Sequence, residues 1–228
     1  HLDMKTSQDV LWLPMDKWKL CGGALPELNG KACWAGLDLS TTTDITAFAL
    51  AFKNDKGGCD LLVFFWIPAE NAKAREDRDR VPYREWARAG GNLTMTPGNV
   101  VDYAIVRRDI NALGKLYKIQ EIAIDRWNAT QITTELMGDG FNVVEHGQGF
   151  ASMSAPSKEF EKLVVGGTIH HGDNPVLTWM AGNVAVDIDT HENFRPCKKK
   201  STERIDGIVA AVMAVGRAAT NPAQQWFY

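Results

Sequence analysis

Three compact apolar runs, residues 32–39, 45–52 and 61–67, follow one another with only short polar segments between them. The first gap holds the Thr41–Asp44 turn and the second holds Asn54-Asp-Lys-Gly-Gly58. Apolar runs joined by tight Gly/Asn/Asp turns predict an antiparallel three-strand meander. Further on the pattern changes. Val101, Ile105, Ile110, Leu113 and Leu116 recur at helical spacing, a short strand follows at 121–125, then a helix at 129–137 and a strand at 142–145. A meander that gives way to alternating helix and strand implies a mixed sheet with helices on its faces.

Three more helices are expected. Residues 154–165 are announced by Ser154-Ala-Pro-Ser-Lys-Glu159, a serine and proline start signal followed by an acid; 175–186 comes next; and 205–218 ends at Asn221-Pro222. Residues 71–90 are charged, with Tyr83 and Trp86 as anchors and Arg75-Glu-Asp-Arg-Asp-Arg80 as a solvated face. The chain has 228 residues and no repeat, low-complexity segment or Pro/Gly-rich linker. One domain over 5–220 is expected, with 1–4 as an expression-vector remnant and 221–228 as a tail.

The acids carry the chemistry. Asp38 ends the first apolar run, Asp125 ends the strand at 121–125, and Asp206 opens the last helix. A fold that brings these elements together gathers three carboxylates, and such a cluster repels itself unless something positive sits in it. Hard divalent cations, Mg²⁺ above all, are held by carboxylates, water and substrate phosphate. A metal-dependent phosphoryl-transfer site follows. Relief of the repulsion should make Asp38→Asn melt above the unsubstituted protein when no metal is present. Asp44 is a fourth candidate ligand, with capping of the Thr-rich turn as its main role.

Net charge is −3, so any contact with nucleic acid must come from a local patch. Lys198-Lys199-Lys200 with Arg195 and Arg204, just before the Asp206 helix, supplies one. The four cysteines show no C-x-x-C spacing, which speaks against a zinc ribbon or a dense disulfide framework and for a reducing cytosol. The apolar stretches are far too short to span a membrane. His170-His171-Gly-Asp173 reads as a surface turn, because adjacent histidines on an extended segment face opposite sides and share an ion poorly. His146 reads as a satisfied strand-end histidine, and Trp127 and Trp179 as core or wall residues. Gly23-Ala-Leu-Pro-Glu-Leu-Asn-Gly-Lys-Ala32 has too wide a glycine spacing for a phosphate loop and lacks its Ser or Thr.

Strands one to three as a meander, a fourth strand beside the first and a late helix across the face make the layout of the ribonuclease H-like fold. The chain resembles the C-terminal nuclease domain of tailed-phage terminase large subunits. The residues that carry the resemblance are Gly36-Leu-Asp-Leu-Ser-Thr-Thr-Thr-Asp-Ile-Thr46, Thr96-Pro-Gly-Asn-Val-Val-Asp102, Asp125-Arg-Trp127, Gln148-Gly-Phe-Ala-Ser-Met-Ser-Ala-Pro156, Asn174-Pro-Val-Leu-Thr-Trp179 and Arg204-Ile-Asp-Gly-Ile-Val-Ala210. The resemblance implies a DNA endonuclease of a viral packaging motor, with Asp38, Asp125 and Asp206 holding two Mg²⁺ or Mn²⁺ ions and Lys198, Lys199, Lys200 and Arg204 against double-stranded DNA. It also implies an ATPase domain upstream in the full protein, the portal and small terminase subunit as partners, no membrane, and work in the cytoplasm of an infected bacterium. Two other readings stand beside it. Asp38-Leu-Ser-Thr-Thr-Thr43 resembles the phosphate turn of actin-like and sugar-kinase ATPases, without their second phosphate hairpin, and a non-catalytic DNA or portal docking module would keep the fold alone.

Overall fold

From Thr46 to Lys53 small and bulky side chains alternate, Ala47, Ala49 and Ala51 against Phe48, Leu50 and Phe52. Successive strand residues point to opposite faces, so this strand gives the sheet one smooth face and one knobbed face. The computed structural model describes residues 11–40, 45–125 and 129–221, and in it the two faces carry separate cores. The alanines join a core with the C-terminal helix, and the bulky residues join one with Val106, Ile110 and Leu136.

The elements run α1 (Met15–Leu20), β1 (Ala32–Asp38), β2 (Thr46–Lys53), β3 (Cys59–Pro68), α2 (Ala72–Asp79), α3 (Tyr83–Arg88), β4 (Leu93–Thr96), α4 (Tyr103–Leu116), β5 (Lys118–Ile124), α5 (Thr130–Gly138), β6 (Val143–Glu145), α6 (Phe150–Val165), β7 (Ile169–His170), α7 (Pro175–Asn183), β8 (Val186–Ile188), β9 (Phe194–Pro196) and α8 (Asp206–Thr220). The main sheet has the order β4-β3-β2-β1-β5-β6, with β7 against the start of β3. β1, β2 and β3 form the expected antiparallel meander, and β5 lies parallel to β1 as the fourth strand of the expected layout. β4 and β6 extend the two edges in parallel, and β8 and β9 make a separate antiparallel hairpin. Among the described residues no helix is long and apolar enough to cross a membrane.

Several elements differ from the sequence expectation. α6 begins at Phe150, four residues before the serine and proline signal, and runs through Pro156. A proline inside a helix removes one backbone bond. Here its ring lies against α8, where a methyl on Gly216 would come within 2.7 Å of Pro156 Cγ. Burial of Met153 in the added first turn, continuous with Ser154 and Ser157 on the same face, anchors the earlier start and overrides the local signal. α7 stops at Asn183, and Val186, expected as its last residue, instead opens β8 and pairs with β9.

The charged run 75–80 is not simply a solvated face, because Arg75 and Asp79 are buried. The Arg75 guanidinium donates to the carbonyls of Pro68 (2.9 Å), Glu70 (2.6 Å) and Asn99 (3.2 Å), satisfying the backbone where β3 ends. Asp79 accepts from Tyr83 Oη at 2.8 Å and from Arg78. His171 is also a correction. It is buried and stacks on Trp18 with ring centroids 4.2 Å apart, while His170 turns the other way to Asp60 at 2.9 Å. The left-handed turn itself begins only at Gly172 and Asp173.

Candidate active site

Trp34, Gly36 and Asp38 share one face of β1, the face on which α8 lies. A side chain at position 36 would not fit there: a Cβ would fall 2.2 Å from the Ala210 carbonyl oxygen and 3.0 Å from the Ala214 nitrogen. Glycine therefore lets the helix backbone close directly onto the strand. The start of the same helix is equally tight, since a Cβ on Gly207 would stand 2.7 Å from the Phe65 ring. These close approaches set Asp206, the first residue of α8, over the end of β1. Asp38 and Asp206 are 3 % and 1 % exposed, although both are carboxylates. On the other side of β1 the parallel register pairs Leu37 with Ile124, so Asp38 and Asp125 lie next to each other where their strands end. Asp125 keeps partial exposure.

The positive charge that the cluster requires belongs to the chain itself. Lys198 Nζ lies 2.5 Å from Asp206 Oδ1 and 3.1 Å from Asp38 Oδ2. Burial alone would lower the pKa of this ammonium, but the two facing carboxylates outweigh it and hold it above the ordinary lysine value. Lys198 is therefore charged at neutral pH and turned inward. This reverses the expectation for Asp38→Asn. Without metal the substitution breaks an ion pair and relieves little repulsion, so the variant is expected to melt slightly below the unsubstituted protein in EDTA. The loss is discounted to about 1 kcal/mol because the lysine stem is partly solvated. A higher melting temperature in EDTA would show that repulsion still dominates.

Asp38 is further fixed by Gln148, whose Nε2 donates to its Oδ1 at 3.0 Å. The Gln148 carbonyl in turn accepts from Arg195 Nη1 at 2.6 Å, and that guanidinium lies over the Phe150 ring at 4.9 Å. Among the described residues Asp38 Oδ2 is buried and faces only the Lys198 ammonium, so one oxygen is tied by an amide while the other meets a cation. Just past Asp38, the Ser40 amide donates to Thr46 Oγ1 at 3.1 Å and the Ser40 carbonyl accepts from the Tyr103 hydroxyl. His146 is half-buried, its amide donating to the Ile124 carbonyl at 2.9 Å. Burial pushes its imidazole below the usual histidine value, and the charge of Asp125 opposes that shift.

Other expected site residues have different surroundings. Lys199 is exposed, and Lys200 Nζ reaches Asp187 Oδ1 at 2.8 Å. Arg204 acts on Asp79: burial pushes that carboxyl up, while Arg78, the Tyr83 hydroxyl and Arg204 hold it below the usual range. Trp179 packs on Trp86 and Tyr83 as a wall residue. Asp44 and Trp127 lie outside the described residues. Gln148 sits in a motif that the sequence singled out, yet nothing local gave it a task; its partner is 110 residues away. Among the described residues no three His, Cys, Asp or Glu side chains converge closely enough to hold a metal. The donor set nevertheless suits a hard cation: carboxylate oxygens, one of them buried and facing the Lys198 ammonium, around a place where the fold already tolerates positive charge.

Comparison with known proteins gives a consistent answer. The family model of the terminase large subunit endonuclease domain matches residues 1–221. The large terminase subunit of Enterobacteria phage HK97 is 37 % identical over 220 residues, which are 96 % of this chain and 43 % of that protein. The chain therefore spans less than half the length of this relative. The crystal structure of the HK97 large terminase superposes with a TM-score of 0.83 over 90 % of this chain and 43 % of that one, at 38 % identity. The large terminase nuclease of thermophilic phage G20c with bound magnesium shares the fold at a TM-score of 0.59 and 11 % identity, over 92 % and 98 % of the two chains.

Proposed function

The chain belongs to the terminase large subunit endonuclease domain family, and from that premise we propose that it cuts concatemeric double-stranded DNA for a viral packaging motor by metal-dependent phosphodiester hydrolysis. One observation carries this reading beyond family membership. Two nearly buried carboxylates from distant parts of the chain, Asp38 and Asp206, close around a single positive charge, with Asp125 at the adjacent strand end. Burying charge is costly unless something compensates for it, and a purely structural role would be met at lower cost by apolar residues.

Asp38, Asp125 and Asp206 would hold the ions, two of them in this reading, and Mg²⁺ or Mn²⁺ suits their hard oxygens. Magnesium in the G20c nuclease supports that choice. When bound, such ions lower the pKa of an attacking water and stabilise the leaving oxygen. Gln148 keeps Asp38 in one orientation by holding its Oδ1, so Oδ2 would be the oxygen offered to an ion. The buried walls of α8 and β1 keep bulk water away from one side. Lys199, Lys200 and Arg204 form a positive rim for DNA phosphates, with the Arg204 charge also felt by Asp79. An ATPase motor in the remainder of the full-length protein, and the portal and small terminase subunit as partners, complete the proposal, as does work in the cytoplasm of the infected host.

Phosphate contacts carry no base information and weaken as salt rises. The protein is therefore expected to nick and linearise supercoiled plasmid with Mn²⁺ or Mg²⁺, with little sequence preference, without ATP, and less well as salt increases. EDTA should stop it. A folded protein that leaves plasmid intact across a series of divalent ions would leave only the docking-module reading.

A further inference from the structure

Lys198 is placed as an ion would be. Its ammonium spans the two least exposed carboxylates of the site and is the one group found against Asp38 Oδ2 among the described residues. We propose that Lys198 is a built-in competitor of the divalent ion, occupying the Asp38–Asp206 pair at rest and leaving it when metal enters, so that nuclease activity requires a side-chain exchange. This deepens the metal reading above and rests on it.

Three features make the exchange physically reasonable. First, the two occupants exclude each other. An ammonium 2.5 Å from one carboxylate and 3.1 Å from the other fills the space between them, and a cation placed beside it would be repelled at short range in a poorly solvated site. Second, the lysine can leave without unfolding anything. Its side chain keeps 42 % of its surface accessible, whereas Asp38 and Asp206 keep 4 % and 1 %, so the acids are the fixed partners and the flexible four-carbon stem is the mobile one. The backbone behind it is held, because the Cys197 carbonyl accepts from the amides of Lys200 (3.2 Å) and Ser201 (3.0 Å) and from Ser201 Oγ (2.8 Å). Third, the ammonium has somewhere to go. A cavity of about 350 Å³ opens beside it, bounded by Gln148, Met153, Asp187, Arg195 and Lys199, and Asp187, already paired with Lys200 at 2.8 Å, offsets part of the positive charge there.

A resting domain of this kind keeps its acids satisfied without metal and binds metal more weakly than the bare carboxylates would. Lys198→Met retains the stem and removes the charge, and Lys198→Arg retains the charge. Mn²⁺ binding by calorimetry, with circular dichroism to confirm folding, separates them. Lys198→Met should bind Mn²⁺ on the order of tenfold more tightly than the unsubstituted protein, and its metal-free form should melt lower and gain more on adding Mn²⁺. Lys198→Arg should bind no more tightly than the unsubstituted protein. Mn²⁺ binding that Asp38→Asn abolishes but Lys198→Met leaves unchanged or weakens would overturn the competitor role and keep the metal site. Should neither the unsubstituted protein nor Lys198→Met bind Mn²⁺ at all, the metal reading falls and this proposal falls with it.

Discussion

Asp38→Asn and Asp206→Asn are each expected to reduce plasmid cleavage by about 10²–10³-fold, which corresponds to ~3–4 kcal/mol of lost stabilisation at the reacting phosphate. The size follows from where these groups lie. Each is almost wholly buried and faces the same positive charge from a different element, so no neighbouring water or side chain can replace the missing carboxylate. An amide keeps the shape but presents only a neutral oxygen to a divalent ion. Asp125→Asn should follow in direction, with a smaller loss because its partial exposure lets solvent compensate. Folding should survive, since the wall beneath the site is made by Gly36, Phe65 and α8 and not by the acids. Initial cleavage rates with Mn²⁺, measured on variants with an unchanged circular dichroism spectrum, test this. Near-normal cutting by Asp206→Asn would remove α8 from the mechanism.

Gly36→Val has the largest expected effect on stability. A single added carbon would meet the Ala210 carbonyl oxygen at 2.2 Å and the Ala214 nitrogen at 3.0 Å. Both are backbone atoms in the middle of a helix, which no rotamer change can move aside. β1 and α8 would have to separate, and overpacking of this kind costs about 3 kcal/mol. In a domain of this size that lowers the melting temperature by roughly 6–12 °C. Activity should fall further than stability explains, because the separation carries Asp206 away from Asp38. Gly138→Ala is the control: an added methyl there meets nothing within 4 Å, and its melting temperature should be unchanged or slightly raised. Equal stability for both variants would mean that the helix does not rest on the glycine.

The difference between these two predictions follows the division between what was legible in the sequence and what was not. The three aspartates were visible because each ends or opens a periodic run, and strand and helix periods are local properties of the chain. The meander was visible for the same reason, while the place of the fourth strand beside the first came with the resemblance. Elements whose identity depends on distant partners were misread or missed. α6 starts early because its first turn packs into the core; β8 is a strand only because β9 lies opposite; Arg75 is buried because carbonyls at Pro68, Glu70 and Asn99 need donors.

The lysine run shows the limit most clearly. Three adjacent lysines look alike in sequence and suggest a solvated or DNA-facing patch, yet Lys198 pairs with acids 160 and 8 residues away, Lys200 with Asp187, and Lys199 stays in solvent. By itself the sequence determined the order of the principal strands and helices and which carboxylates stand at their ends, since these depend on side-chain periodicity and chain order, and its motifs carried the family resemblance. Only the tertiary structure decided which charges face one another and which are buried. Electrostatic pairing acts over a few ångströms of space, and the approach of α8 to β1 at Gly36 brings together side chains that the sequence keeps far apart.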